Sequence, residues 1–285
     1  MQPGRRALLM AFGVGAWSLA SRSLAQRQEA VRIGLTAVFL DDEIRFLLRW
    51  RAYLEQRLGR KVEFVQRGRY RETVELLRQG HLEAAWICGF PYVRFRRELQ
   101  LLAVPLFEGK PLYRSYLIVP ASDGATRSIL DLRAKVFAFS DPDSNSGFLY
   151  PSYVLHGARE RPESFFKRAF FTWAHRKVVD AVSSRLAHGG SVDGYVWETL
   201  RVAPGDLTAG TRVVSKSPEF GHPPIVVRAN LAPGLAQELR AAFTGMNGDA
   251  EGRALLASLN LDGFAPGDDR LFDSIESMWR IVQPA

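Results

Sequence analysis

Apolar and polar positions alternate in blocks along this chain. The short apolar runs "VRIGLTAV", "KVEFVQ", "EAAWIC" and "LLAVPLF" predict strands. Between them, "DEIRFLLRWRAYLEQRL", "YRETVELLRQ" and "PYVRFRREL" space their apolar residues three and four apart and predict helices. Asp41 caps the first helix, Gly59 and Gly80 stop the first and second, and Pro91 opens the third. Strand and helix in strict alternation predict an open α/β sheet, in which ligands bind beyond the carboxyl ends of the strands.

Two longer β-prone runs, "YRSYLIVP" (Tyr113 to Pro120) and "TRVVSKS" (Thr211 to Ser217), bracket a second unit, and "PPIVVR" follows close behind. The bracketed unit reads as strand "KVFAFS", a helix from Gly147, strand "AFFTW", helix "RKVVDAVSSRLAHG" and strand "SVDGYVW". Three helical stretches, "PGLAQELRAAFTGM", "AEGRALLASL" and "DRLFDSIESMW", finish the chain. An α/β unit inserted between two crossing segments predicts a two-lobed molecule. Lobe one would comprise residues 31–115 and 216–285, lobe two residues 116–215, with a ligand held between them.

The first 25 residues stand apart from this pattern. Arg5 and Arg6 precede the apolar stretch "ALLMAFGVGAWSLA", and "SRSLA" then offers small residues for cleavage after Ala25. The stretch is short for a membrane span, so residues 1–25 read as an export signal and the mature chain as periplasmic. The paired arginines faintly resemble a twin-arginine signal, and both export routes stay open.

Composition narrows the function. The formal charge of +8 falls to +5 once Arg5, Arg6 and Arg22 are removed, since no acid lies in that segment. The remaining arginines, as in "RFRREL", "QRGRYRE" and "RERPESFFKR", are dispersed and read as solvated helix faces rather than a nucleic-acid surface. Cys88 is the only cysteine, which excludes an internal disulfide. No Gly-x-Ser-x-Gly elbow and no His-Glu-x-x-His spacing is present, so no catalytic residue, metal site or cofactor is assigned.

One stretch carries candidate chemistry: "SDPDSNSGFLYP", residues 140–151. Ser, Asp and Asn are ordinary helix caps, and a surface helix can begin this way. The strand "KVFAFS" directly before it supplies a second reading, because a strand–loop–helix turn gathers backbone N–H groups and the positive helix end around an anion.

Taken together, "DPDSNSGFLYPSY", "LLRQGHLEAAWICGFPYV", "PLYRSYLIV", "TWAHRKVVDAV" and "KSPEFGHPPIVV" resemble the periplasmic phosphonate/phosphite/phosphate-binding proteins of ABC importers. The likeness spans nearly all of the mature chain, with Asn145 where that family's loop usually has Thr. It implies a type II periplasmic binding protein fold, with two open α/β lobes joined by crossover strands. It also implies that Ser144, Asn145, Ser146 and Gly147 seat an anion with His175 beside them, while Tyr70 and Tyr113 reach it from the other lobe. A phosphorus oxyanion delivered by a monomer to an ABC importer permease is the function so implied.

Relatives that take aminoalkyl phosphonates hold the amine with two carboxylates. Here His222 and Pro223 replace one, Glu198 is offset from the other, and Trp197 would wall the pocket. Cys88 ends the predicted strand "EAAWIC" and reads either as a buried structural thiol or as a soft ligand. The second reading resembles arsenite-binding sensor subunits that signal to a histidine kinase.

Overall fold

The computed structural model describes residues 30–36 and 44–283. The chain begins with β1 (Val31–Leu35), α1 (Ile44–Leu58), β2 (Val62–Gln66), α2 (Tyr70–Arg78), β3 (Ala84–Trp86), a short α3 (Gly89–Arg94) and β4 (Leu99–Leu106). It crosses through β5 (Leu112–Tyr113) into β6 (Ser115–Pro120), β7 (Val136–Phe139), α4 (Tyr150–Gly157), α5 (Pro162–Phe165), β8 (Arg168–Phe171), α6 (His175–Ser183), β9 (Gly189–Asp193), α7 (Gly194–Val202) and β10 (Thr211–Lys216). It returns through β11 (Phe220–Gly221) to β12 (Ile225–Arg228), α8 (Pro233–Thr244), α9 (Ala250–Ser258), β13 (Gly263–Pro266) and α10 (Asp273–Val282).

These strands build two larger sheets and a ribbon. The six-stranded sheet runs β13-β4-β12-β3-β1-β2, and the five-stranded sheet β10-β6-β9-β7-β8. In the ribbon β11 pairs antiparallel with β5, Phe220 opposite Tyr113, so both crossings of the chain are tied side by side. Each sheet mixes parallel pairs, such as β1 with β2 and β3, with antiparallel ones, such as β12 with β3 and β4.

Periodicity explains the helices. In α1, Phe46, Trp50, Tyr53, Leu54 and Leu58 share the buried face, and Trp50 meets Phe64, Trp86 and Phe243 at ring distances of 5.1, 6.1 and 6.2 Å. Each large apolar side chain so buried contributes roughly 1.5 to 3 kcal/mol. The expected cap Asp41 lies outside the described residues. At the far end of the chain, α10 packs on α3 and also on α4, and so bridges the two sheet systems.

Three expectations need correction, and one strand was unforeseen. The predicted strand "SVDGYVW" ends at Asp193, whose carboxylate accepts the Tyr195 and Val196 N–H groups at 2.8 and 3.3 Å and starts α7 at Gly194. The predicted helix "PYVRFRREL" stops at Arg94, because Leu99 already belongs to β4. The run Tyr113 to Pro120 breaks at Arg114, where the chain leaves the ribbon for the second sheet. Finally, β13 pairs with β4 at the sheet edge, although its short sequence "GFAP" carries little strand signal.

Candidate anion-binding site

The loop after β7 is built to expose hydroxyls on its inner side. Ser144 caps the turn that follows: its Oγ accepts the Gly147 N–H at 3.0 Å. Residues Asn145–Leu149 form one wide helical turn, with the Tyr150 N–H reaching the Asn145 carbonyl, before α4 begins. The Ser146 carbonyl is held by two hydroxyls, Ser115 Oγ of β6 at 2.7 Å and Ser191 Oγ of β9 at 2.8 Å. That grip fixes the backbone and leaves the Ser146 Oγ without a protein partner. Gly147 is required by close approach: a Cβ there would lie 1.8 Å from Ser140 Oγ and 3.1 Å from His175 Cε1.

His175 stands behind the loop at the start of α6. Its Nδ1 accepts the Asp193 N–H at 3.0 Å, so the ring proton sits on Nε2, which faces Ser144 Oγ at 3.4 Å. Burial pushes its pKa down to about 3, and the ring is neutral. Because Ser144 Oγ accepts from Gly147 and from His175, its own hydrogen remains free to donate.

The opposing wall comes from the other sheet system. Tyr70 opens α2 beyond the carboxyl end of β2, and its backbone N–H donates to Asp141 Oδ2 at 3.1 Å. Tyr113 accepts from Asn145 Nδ2 at 3.0 Å, which leaves the phenol hydrogen free. Burial, first of all, raises both phenols well above their ordinary range, so both remain protonated donors. Cys88, two residues past β3, accepts the Asn145 N–H at 3.2 Å, and burial pushes its thiol up to about 12. The thiol so placed is neutral and accepts a backbone N–H.

Ser144, Asn145, Ser146, Gly147, His175, Tyr70, Tyr113 and Cys88 are thus brought together, all buried. His222 joins them through Tyr113, ring to ring at 5.6 Å. Trp197 does not: it lies on α7 and its indole N–H donates to Thr211 Oγ1, opposite Pro120 at the end of β6 remote from Ser115. Glu198 also stays outside, accepting from Tyr116 and pairing with Arg201 and Lys216.

Several residues at the site carried no signal in the sequence. Ser115 and Ser191 sit mid-sequence in unremarkable strands, and only the sheet pairing brings both onto the Ser146 carbonyl. Asp193 is fully buried, and burial pushes its carboxyl up to about 7 despite the two N–H groups it accepts. The arginines read as solvated faces are partly otherwise engaged. Arg71 Nε and Arg94 Nη1 reach the buried carboxylate of Asp143 at 3.2 and 2.6 Å, and the Arg69 guanidinium lies 4.6 Å over the Trp173 ring. Trp173 itself takes φ 67°, a conformation few aromatic residues adopt, with its N–H on the Ser140 carbonyl at 2.6 Å. Among the described residues, no cluster of three or more His, Cys, Asp or Glu is arranged to hold a metal ion, and no helix is long and apolar enough to cross a membrane.

Two α/β sheet systems joined by a paired ribbon, with a buried polar centre between them, define a two-lobed solute-binding protein. Residues 33–272 match the family described as the ABC transporter, phosphonate, periplasmic substrate-binding protein, and the chain belongs to that family. It is 29% identical over 246 residues to the phosphate-import protein PhnD of Mycolicibacterium smegmatis, covering 80% of this chain and 73% of that protein. It is 26% identical over 260 residues to the phosphonates-binding periplasmic protein of Escherichia coli, covering 87% and 75%. The fold is also that of a binding-protein component of an ABC phosphonate transporter from Pseudomonas aeruginosa, with a TM-score of 0.82 at 23% identity over 90% of this chain and 87% of that one.

Proposed function

We propose that this protein captures a phosphorus oxyanion (phosphate, phosphite or a simple phosphonate) in the periplasm and delivers it as a monomer to an ABC importer permease. The observation that carries this reading is a buried cleft centre whose hydroxyls, on Ser144, Ser146 and Tyr113, each have a hydrogen free to donate, beside the neutral His175. Charge-assisted hydrogen bonds of this kind replace the water of an oxyanion without a matching positive charge. The names of the two curated relatives, one a phosphate-import and one a phosphonates-binding protein, point the same way. The chain's role is binding, not catalysis.

The lobes in this reading are residues 31–115 with 216–285, and residues 116–215. Tyr70 and Tyr113 approach the anion from the first, and the Ser144–Gly147 loop with His175 from the second. Closure about the β5–β11 ribbon brings them together. Calorimetric titration with phosphate, phosphite, methylphosphonate, sulfate, arsenate and arsenite tests the proposal. Tight binding of at least one phosphorus oxyanion, with a smaller radius of gyration in small-angle scattering, is the expected result; binding of arsenite alone would overturn it.

A further inference from the structure

Four side-chain atoms at the centre of the cleft are buried without a hydrogen-bond partner: Ser146 Oγ, Asn145 Oδ1 and both ring nitrogens of His222. They gather around Tyr113. Asn145 Nδ2 donates to its hydroxyl at 3.0 Å, Ser146 stands close enough to influence the phenol, and the His222 ring lies 5.6 Å from the Tyr113 ring. The placement of His222 is rigid. It follows β11 directly, its backbone N–H donates to the Pro111 carbonyl at 2.9 Å, and Tyr195 closes the other side of the ring at 4.8 Å. The side chain is wholly buried.

Buried polar groups are almost always paired, so a histidine with two idle nitrogens, packed between the Tyr195 ring and the ring of the tyrosine that Asn145 contacts, marks a place where something binds. Burial pushes its pKa down to about 3, and the ring is neutral. The Pro223 carbonyl, which accepts the Trp86 indole N–H at 2.9 Å, lies near enough to oppose that shift, but neither ring nitrogen makes a hydrogen bond to it. A neutral imidazole offers one N–H donor and one bare acceptor nitrogen, whichever tautomer it adopts and whichever way the ring is turned. An anion that can only accept satisfies the donor and leaves the acceptor facing negative charge. A ligand with a hydroxyl satisfies both.

We propose that His222 reads a hydroxyl on the bound oxyanion, so that the pocket takes hydrogen phosphate and rejects sulfate, an ion of the same shape that carries no proton at neutral pH. This rests on the Ser144–Ser146 loop being the anion seat. Selectivity of this kind arises because the wrong ligand leaves a buried acceptor unpaired, a penalty binding sites use to exclude near-isosteres.

Titration of the wild type, His222→Gln and His222→Leu with phosphate and with sulfate tests the inference. The wild type should prefer phosphate by at least about a hundredfold. The glutamine, which keeps one donor and one acceptor, should retain most of that preference. The leucine, which keeps neither, should lose about tenfold or more in phosphate affinity and bring the two ions within about tenfold of each other. Nitrogen NMR of the His222 ring in the wild type gives a reading independent of how the variants fold: adding phosphate should shift both ring nitrogens. Unchanged ring signals with bound phosphate, or a folded His222→Leu protein that keeps its preference, would overturn the role of His222 alone. A wild type that binds a phosphonate but not phosphate would do the same, whereas one that binds no phosphorus oxyanion would remove the anion seat itself.

Discussion

Two halves of one loop behave differently. Residues 141–143 carry two carboxylates that reach across to the other sheet system: Asp141 accepts the Tyr70 backbone N–H, and Asp143 accepts Arg71 and Arg94. Residues 144–147 carry no charge, and their hydroxyls and amide face a centre built of phenols, thiol and neutral imidazoles. Asp141 and Asp143 are themselves buried, but each carboxylate is compensated, the first by the N–H groups it accepts and the second by two guanidiniums that reach it from the other sheet system. The uncharged half is fully buried, where an unpaired full charge would cost several kcal/mol. In the proposed reading, recognition by neutral donors and closure by ion pairs are divided between neighbouring residues.

Removing the neutral donors is the most severe test of this division. Ser144→Ala with Ser146→Ala should abolish detectable oxyanion binding, each hydroxyl contributing roughly 1.5 to 3 kcal/mol to a charged ligand. Calorimetric affinity that survives in the double variant would place recognition elsewhere. Asp193 asks whether the buried side is kept neutral. Its folded pKa of about 7 lies above the ordinary carboxylate value of 3.8, so its contribution to stability is complete below about pH 4 and is lost as pH rises through about 7. The two buried histidines, depressed to about 3, act in the opposite sense, because the unfolded imidazoles take up protons below their ordinary 6.5. Asp193→Asn removes only the first of these effects. Its stability relative to wild type should therefore climb by about 2 to 4 kcal/mol between pH 4 and pH 8 in urea titrations, and a pH-independent difference would contradict the assignment.

Gly147→Ala probes the packing that shapes the neutral half. The added methyl would strike Ser140 Oγ, and the rearrangement should cost about 1 to 3 kcal/mol of stability and weaken binding, read from melting and titration together. On the charged half, Asp143→Asn should lower affinity by about 1 kcal/mol through faster ligand release and should blunt the salt dependence of that rate. Stopped-flow release rates that do not move would show that the ion pairs contribute nothing to closure. Smallest of all, Cys88→Ser should leave oxyanion affinity within about tenfold, because a hydroxyl can accept the Asn145 N–H in place of the thiol.

The loop itself was legible in the sequence because its elements are local: a strand, a cluster of small polar residues, a glycine and a helix within one short stretch. His175 and the two tyrosines were legible only through family resemblance, since a lone aromatic or histidine at a helix start has no local signature of binding. Asp193 was hidden by a wrong boundary. Valine, tyrosine and tryptophan after it favour a strand, and only the carboxylate's grip on two N–H groups turns the chain into α7. Arginines at helix surfaces look alike in one dimension, so the ones that bind Asp143 could not be told from those facing water.

Alternating apolar blocks and their caps determined the α/β class, the inserted second unit and the position of the Ser144–Gly147 turn, because each depends on residues a few places apart. What only the tertiary structure decided is which distant groups meet there. Ser115 and Ser191 clamp one carbonyl, Arg71 and Arg94 share one carboxylate, and His222 lies idle against Tyr113, because strand order and the β5–β11 crossing, not sequence distance, set those neighbours. The neutrality of the site was decided there too, since burial is a property of the assembled lobes and burial is what holds these histidines, phenols and the thiol uncharged.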